Sequence, residues 1–295
     1  MILVVGGTGQ LGGRVVRLLR DRGEKVRCLV RAGSDAAPLR ALGVEIVQGD
    51  LVDPATLPGA CDGVTTVVAT ATAITGRLAG ARHPSIVEVD GRGMAALVGA
   101  AARAGVERFV YLSFAGAESG LGSPMERAKL AIERRLRASQ LRAVIVRPDA
   151  YQDIHLAPLG RFDVAGGKVA VIGRGDTRRR PVAVDDVAAL VAAVALEPDP
   201  PEVVEFGGPE AISRNQAIAV AEQATGRPMK RRRMPAAAAR LGMRLLARRN
   251  DAMASVFAAG LHQDRVEARW DDGPLRERGI AGRSATQFIQ EQAGG

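Results

Sequence analysis

The 295-residue chain is 47% hydrophobic and 25% charged, a balance that excludes a disordered protein and a disulfide-built miniature and allows one large or two unequal globular bodies. Its formal charge of +9 is spread over both halves, with 20 basic and 14 acidic residues in 1–150 and 21 and 18 in 151–295, and only 3% of residues are aromatic, so no nucleic-acid partner is expected. Cys28, Cys61, His83, His155 and His262 are too few and scattered for a metal site or disulfide framework; no apolar run approaches the roughly 20 residues of a membrane span, and the apolar start at 1–5 enters a glycine turn without a secretory leader, so a reducing, cytoplasmic setting without metal is expected.

Apolar, β-branched runs at 2–5, 26–30, 44–47, 64–69, 108–112 and 143–146 are short enough to be buried strands. Between them, Leu11, Val15, Val16, Leu18 and Leu19 form one helical apolar face, Ile86, Met94, Leu97 and Val98 another, and Ala128, Ile132 and Leu136 a third. Such alternation predicts parallel strands with crossover helices, an α/β doubly wound Rossmann sheet occupying 1–150. After Pro148 the rhythm breaks at Gly160, Gly166, Gly167, Gly173 and Gly175. A helix is expected from near Asp185, a strand at 203–206, and a second helix capped by Ser213 and stopped by Gly226. Residues 151–295 are thus read as a smaller substrate-side or lid region, interleaved with the carboxyl edge of the sheet.

Gly6-Gly7-Thr8-Gly9-Gln10-Leu11-Gly12 follows the first strand at once and opens the first helix. Gly6 permits the tight turn, Gly9 lets backbone amides approach a pyrophosphate, and Gly12 allows the helix to pack close to the strand. The helix N-terminus adds free N–H groups and partial positive charge. The spacing resembles the fingerprint of the atypical short-chain dehydrogenase/reductases, in particular the NmrA-like and isoflavone-reductase-like NAD(P)-binding groups. Gly49-Asp50-Leu51, Tyr111-Leu112-Ser113, Arg147-Pro148 and Phe206-Gly207-Gly208-Pro209 extend the resemblance along most of the chain.

The second strand ends Val30-Arg31-Ala32-Gly33-Ser34. Arg31 offers a planar fork and Ser34 a hydroxyl to a 2′-phosphate, with no carboxylate at the strand end, so NADP (NADPH) is expected over NAD. Asp35 either caps the next helix or reaches the ribose. The resemblance further implies that Asp50 and Leu51 lie near the adenine, that Ala69, Thr70 and Ala71 lie near its ribose, and that the segment through Pro148, Tyr151 and His155 passes the nicotinamide. Asp50 reads equally as a turn residue.

Short-chain reductases commonly place a tyrosine four residues before a lysine on one helix face. Here Lys129 is present and Met125 holds the tyrosine position. Methionine cannot donate a proton. Isoflavone-reductase-like enzymes also lack that tyrosine and keep a lysine, which makes Lys129 the first candidate, bonding the nicotinamide ribose or acting through it or water. Ser113, at the carboxyl end of the fifth strand, is expected to bond a substrate oxygen or to cap the next segment. Tyr151 or His155 could replace the missing proton donor, and Met125 and Tyr151 could line a flat acceptor such as an aromatic ketone or quinone.

Residues 227–249 carry nine basic and no acidic side chains, with Arg240, Arg244 and Arg248 at four-residue steps. They are read as the solvated face of a lid helix, with a membrane surface or acidic partner as the other reading. The sequence therefore predicts an NADP-dependent oxidoreductase acting on a carbonyl, enone or quinone-like small molecule. The alternative is a non-catalytic NADP-binding redox sensor of the NmrA type. Oligomeric state is not legible.

Overall fold

Most apolar runs of the first half become strands buried on both faces, as parallel strands covered by crossover helices are, the edge strand at 45–48 being the partly exposed exception. A computed structural model describes residues 1–78, 81 and 84–294; His83 lies outside the described residues. The chain divides into two units, one formed by Met1–Ser113, Pro124–Val146 and Val187–Val204, the other by Phe114–Ser123, Arg147–Asp186 and Glu205–Gly295.

The first unit runs β1 (Ile2–Val5), α1 (Gln10–Asp21), β2 (Val26–Val30), α2 (Ala37–Ala41), β3 (Glu45–Gln48), α3 (Leu57–Cys61), β4 (Thr66–Ala69) and α4 (Ile74–Leu78), then a π-helical stretch (Val87–Gly93), α5 (Met94–Arg103), β5 (Arg108–Leu112), α6 (Pro124–Arg137) and β6 (Arg142–Pro148). The strands pair in parallel in the order β3-β2-β1-β4-β5-β6, with Ile2 opposite both Val26 and Thr66. Strand order reverses between β1 and β4, the switch point at whose carboxyl edge such sheets bind ligands. Leu3, Val67, Phe109 and Tyr111 of the sheet pack with Met94, Leu97, Ile132 and Leu136 of the helices in one core.

Three strands differ in their bounds from the sequence pattern. Val64 turns back to Cys61 O before β4 begins, β3 is shifted one residue along the chain at both ends, and β6 starts one residue early and runs on to Pro148, whose missing N–H is tolerated where the ladder ends. The apolar face through Ile86 and Met94 does not lie on a plain α-helix. The π-helical stretch lies between them, and both side chains are fully buried in the same core.

The second unit contains α7 (Gln152–His155), β7 (Phe162–Asp163), β8 (Lys168–Ile172), β9 (Arg178–Arg179) and the start of α8 (Val184–Leu196). It takes up again at the end of β10 (Val203–Phe206), which is the outer neighbour of β6 in the main sheet, and continues through β11 (Ile212–Ser213), α9 (Arg214–Thr225), β12 (Lys230–Met234), α10 (Ala236–Leu246), α11 (Asp251–Arg265), α12 (Gly273–Arg276) and α13 (Ala285–Gly294). Ser213 caps α9 in a reciprocal capping box with Gln216, and Gly226 ends it at φ 64°. Phe162, Val169, Val171, Ile218 and Ile289 form this unit's main core. Cys28 and Cys61 are free thiols, and burial pushes them up to about 12 and about 11. No described helix is long and apolar enough to cross a membrane, and the described residues contain no cluster suited to a metal ion.

Candidate cofactor and catalytic site

The loop between β1 and α1 is shaped by two close approaches that only glycine permits. Gly6 has φ 101°, and a Cβ there would lie 2.7 Å from both Ala71 N and Thr70 Oγ1; a Cβ on Gly12 would lie 2.2 Å from Gly6 O. The loop is thereby pinned between β1 and β4, with the Ala71 amide and Thr70 Oγ1 both donating to Val5 O. Thr8, Gly9 and Gln10 are left exposed at its tip, while Leu11 is half-buried. No side chain caps α1, so its first-turn amides point outward for an anion. This geometry fits the pyrophosphate of a dinucleotide.

At the end of β2, Arg31 is exposed, and its guanidinium makes no hydrogen bond or ion pair among the described residues. Ser34 N donates to Arg31 O at 3.1 Å, closing the turn that presents both side chains. Asp35 is not the N-cap of α2, which is Ala36, but its Oδ1 accepts from the amide of Ala37 in the first turn of that helix. Asp50 is a turn residue in the fold, its Oδ1 accepting from Val52 N and its amide donating to Thr56. Leu51 is buried, and Gly93 of the π-helical stretch approaches so closely that a Cβ there would lie 2.6 Å from Leu51 O. Ala69 is buried at the end of β4, and Thr70 and Ala71 are half-buried beyond it.

Ser113 follows β5. It is 7% exposed, its amide donates to Val146 O, and its hydroxyl has no hydrogen-bond partner among the described residues, so it does not cap the segment that follows. Lys129 is buried rather than presented on the helix surface. Its Nζ donates to Leu112 O at 2.8 Å, stands 3.6 Å from Asp90 Oδ1 and lies 4.9 Å from the centre of the Tyr111 ring. Burial lowers the lysine pKa, an effect opposed by Asp90 and Glu133. Asp90 is fully buried in the π-helical stretch, and its Oδ2 accepts from Ala73 N at 2.9 Å. The sequence pattern does not single out Asp90; an acid amid the apolar face of 86–98 is the signal that points to it. Met125 is partly buried against the core of the first unit.

In the second unit, Pro148 O accepts from Ala115 N. The next residue, Asp149, is buried and fully bonded: Arg179 donates to its Oδ1 at 2.6 Å, and Trp270 Nε1 and Arg180 N donate to its Oδ2 at 2.9 Å each. Burial alone would raise this carboxyl, but Arg179 and the backbone donors outweigh it and hold it below the ordinary range. Tyr151 starts α7; its hydroxyl makes no hydrogen bond among the described residues, and burial raises its pKa. His155 Nδ1 meets Gln263 Nε2 at 2.5 Å, and burial, followed by Arg214, brings its pKa to about 4. It is therefore neutral at pH 7 and is not a cationic acid there. His262, absent from the sequence-derived candidates, bonds Ala115 O through Nε2, while its buried Nδ1 is unpartnered among the described residues.

Residues 6–198 match the family model described as NAD(P)H-binding. Among curated proteins, the chain is 36% identical over 146 residues to photosystem II assembly factor Ycf39 of Trieres chinensis, covering 50% of this chain and 44% of that protein. It is 30% identical over 231 residues to an NAD(P)H azoreductase of Xenophilus azovorans, covering 78% and 76%. The chain thus spans about half the length of the first of these relatives and most of the second. The crystal structure of Citrobacter sp. triphenylmethane reductase complexed with NADP(H) superposes with a TM-score of 0.78 over 99% of this chain and 100% of that one; at 20% identity this establishes a common fold. With its glycine loop on a doubly wound sheet, the chain belongs to the NAD(P)H-binding family whose model it matches over residues 6–198.

Proposed function

We propose that the chain is an NADPH-dependent reductase that passes hydride to a carbonyl, enone or quinone-like aromatic acceptor. The observation that carries this reading is the glycine cradle, in which Gly6 and Gly12 exclude any side chain and the uncapped amides of α1 face outward. The preference for NADP is supported by Arg31, unpaired among the described residues, and by the engagement of Asp35 in starting α2. An aromatic acceptor is supported by the relatives, one named an azoreductase and one a triphenylmethane reductase.

NADPH, when bound, supplies the hydride. The loop amides hold its pyrophosphate, and Arg31 and Ser34 hold its 2′-phosphate. Ser113 Oγ, which has no partner among the described residues, donates a hydrogen bond to the acceptor oxygen and stabilises the charge that develops there. Tyr151, a phenol protonated at neutral pH, is the candidate for the proton that Met125 cannot give. Acceptor recognition is assigned to residues 151–295.

Titration of the purified protein with NADPH and NADH by cofactor fluorescence, followed by addition of quinones, azo dyes and aromatic ketones while NADPH absorbance is monitored, tests the reading. Tighter NADPH binding with acceptor-dependent oxidation is the expected result. A second reading, a non-catalytic NADP-binding sensor, is favoured by the engagement of Lys129 inside the fold. NADPH binding without turnover across all three acceptor classes would select it.

A further inference from the structure

We infer that α10 is an in-plane docking helix for an anionic lipid surface. The helix has two faces with different fates. Ala239 and Met243 are buried on the inner one, where Met243 joins Ala254 and Ala258 of α11 in a small core and Gly242 meets the Phe257 ring. Leu246 and Ala247 pack partly against the same small core. The outer face nevertheless carries Leu241 and Leu245, one turn apart, 58% and 67% exposed, the two most exposed large hydrophobic side chains among the described residues.

The charges beside these leucines make the choice of occupant. Arg244, Arg248 and Arg249 are exposed and Arg240 is half-buried, and none of the four takes part in an ion pair or side-chain hydrogen bond among the described residues. On a helical projection Arg240 and Arg244 lie one turn apart along one side of the leucine pair, and Arg248 and Arg249 follow in the turn just past the end of α10, where the expected helix has already stopped. No acidic residue occurs from 227 to 249. An apolar ridge bordered by unpaired arginines suits the boundary between acyl chains and negatively charged headgroups, where leucine enters the apolar layer and arginine stays among phosphates. An acidic protein would account for the arginines but leaves both leucines without a role. Arginine neutralised at such a surface contributes about a fivefold gain in partitioning each.

The test uses the full chain in sedimentation with vesicles of phosphatidylcholine alone or mixed with phosphatidylglycerol. Binding to the mixed vesicles only, weakened by high salt, is expected. Arg244→Glu with Arg248→Glu should lower partitioning more than tenfold, and Leu241→Ser with Leu245→Ser should also lower it severalfold. Arg17→Glu with Arg22→Glu, an equal charge change at exposed positions of the first unit, should lower it less. Leu241, Arg244 and Leu245 of α10 and Arg248 just beyond it are all exposed, and unchanged melting curves verify that the variants fold. Absence of binding to anionic vesicles overturns the proposal. So does loss on charge reversal with no effect of the leucine pair, which would mark simple attraction to any polyanion, and so does an equal loss in the Arg17/Arg22 variant.

Discussion

Lys129 Nζ donates to Leu112 O at 2.8 Å and faces Asp90 Oδ1 at 3.6 Å, so its buried ammonium ties α6 to the end of β5 and to the π-helical stretch. Removing one member of a buried ion pair strands the other, at a cost of about 3–5 kcal/mol. Lys129→Met should therefore lower unfolding stability by an amount in that range. Lys129→Met combined with Asp90→Asn should recover part of the loss, because no buried charge is left alone. Urea unfolding of the single and double variants measures the coupling; additive effects would show that the two groups do not interact.

The glycine cradle separates folding from binding by position. At Gly12 an added methyl collides with Gly6 O, whereas at Gly9 the nearest atom to an added Cβ is the same oxygen at 3.2 Å, a contact a small shift can relieve. Gly12→Ala should lower the melting temperature, with an overpacking cost of about 1–3 kcal/mol. Gly9→Ala should leave melting within about 0.5 kcal/mol of the parent and weaken NADPH binding at least tenfold, because its methyl projects where the pyrophosphate must approach. Equal loss of melting temperature in both variants would contradict this division.

Cofactor choice turns on Arg31. A hydrogen bond to a charged group contributes about 1.5–3 kcal/mol, or roughly 10–100-fold in affinity. Arg31→Ala should weaken NADPH binding by that factor and leave NADH binding nearly unchanged, and Arg31→Asp should reverse the preference. Paired fluorescence titrations supply the ratio. An equal effect on both cofactors would remove the 2′-phosphate from Arg31.

Much of the fold was legible because its signals are local. β1, β2, β5 and β10 begin and end where their apolar runs do, and Ser213 and Gly226 bound α9 as their chemistry requires. The glycine loop was legible for the same reason: turn, close approach and helix start lie within seven residues. What was not legible depends on partners distant in sequence. Lys129 reads as a candidate beside the nicotinamide ribose and gives no sign that Leu112 and Asp90 are brought to it, and Asp149 gives no sign of partners 30 and 121 residues away. The π-helical stretch at 87–93 left no mark, because Ile86 and Met94 fall on one apolar face whether the helix between them is regular or widened.

Acid should destabilise the protein in two stages. Burial, followed by the charge of Arg179, depresses His262 to about 4, against about 6.5 when unfolded. Between these values the unfolded chain binds more protons, so stability is complete above pH 6.5 and falls as pH drops toward 4, by about 3 kcal/mol for this group. His155 acts in the same direction. Asp149, with its lowered pKa, contributes stability above the unfolded carboxylate value that is lost only at still lower pH, as the native carboxyl takes up its proton. Melting curves from pH 7 to 4 should show the first stage, and His262→Gln should flatten it by roughly half relative to its own value at pH 7. An unchanged slope in the variant would show that His262 does not titrate in this window.

Ser113 is where stability and activity should move in opposite directions. Its hydroxyl is buried and unpartnered among the described residues, and an unsatisfied buried polar group costs about 1–3 kcal/mol. Ser113→Ala removes that cost and leaves the amide bond to Val146 O intact, so the variant should melt at or above the parent temperature. If Oγ serves the acceptor oxygen, the same variant should lose about tenfold or more in kcat with NADPH affinity unchanged, since the hydrogen bond it removes strengthens as charge develops. A rise in melting temperature with full turnover would leave Ser113 as a packing residue and return the search for an acceptor-binding group to Tyr151. A fall in melting temperature would mean that the hydroxyl already has a partner within the folded protein, and the reason for assigning it to the acceptor would be gone.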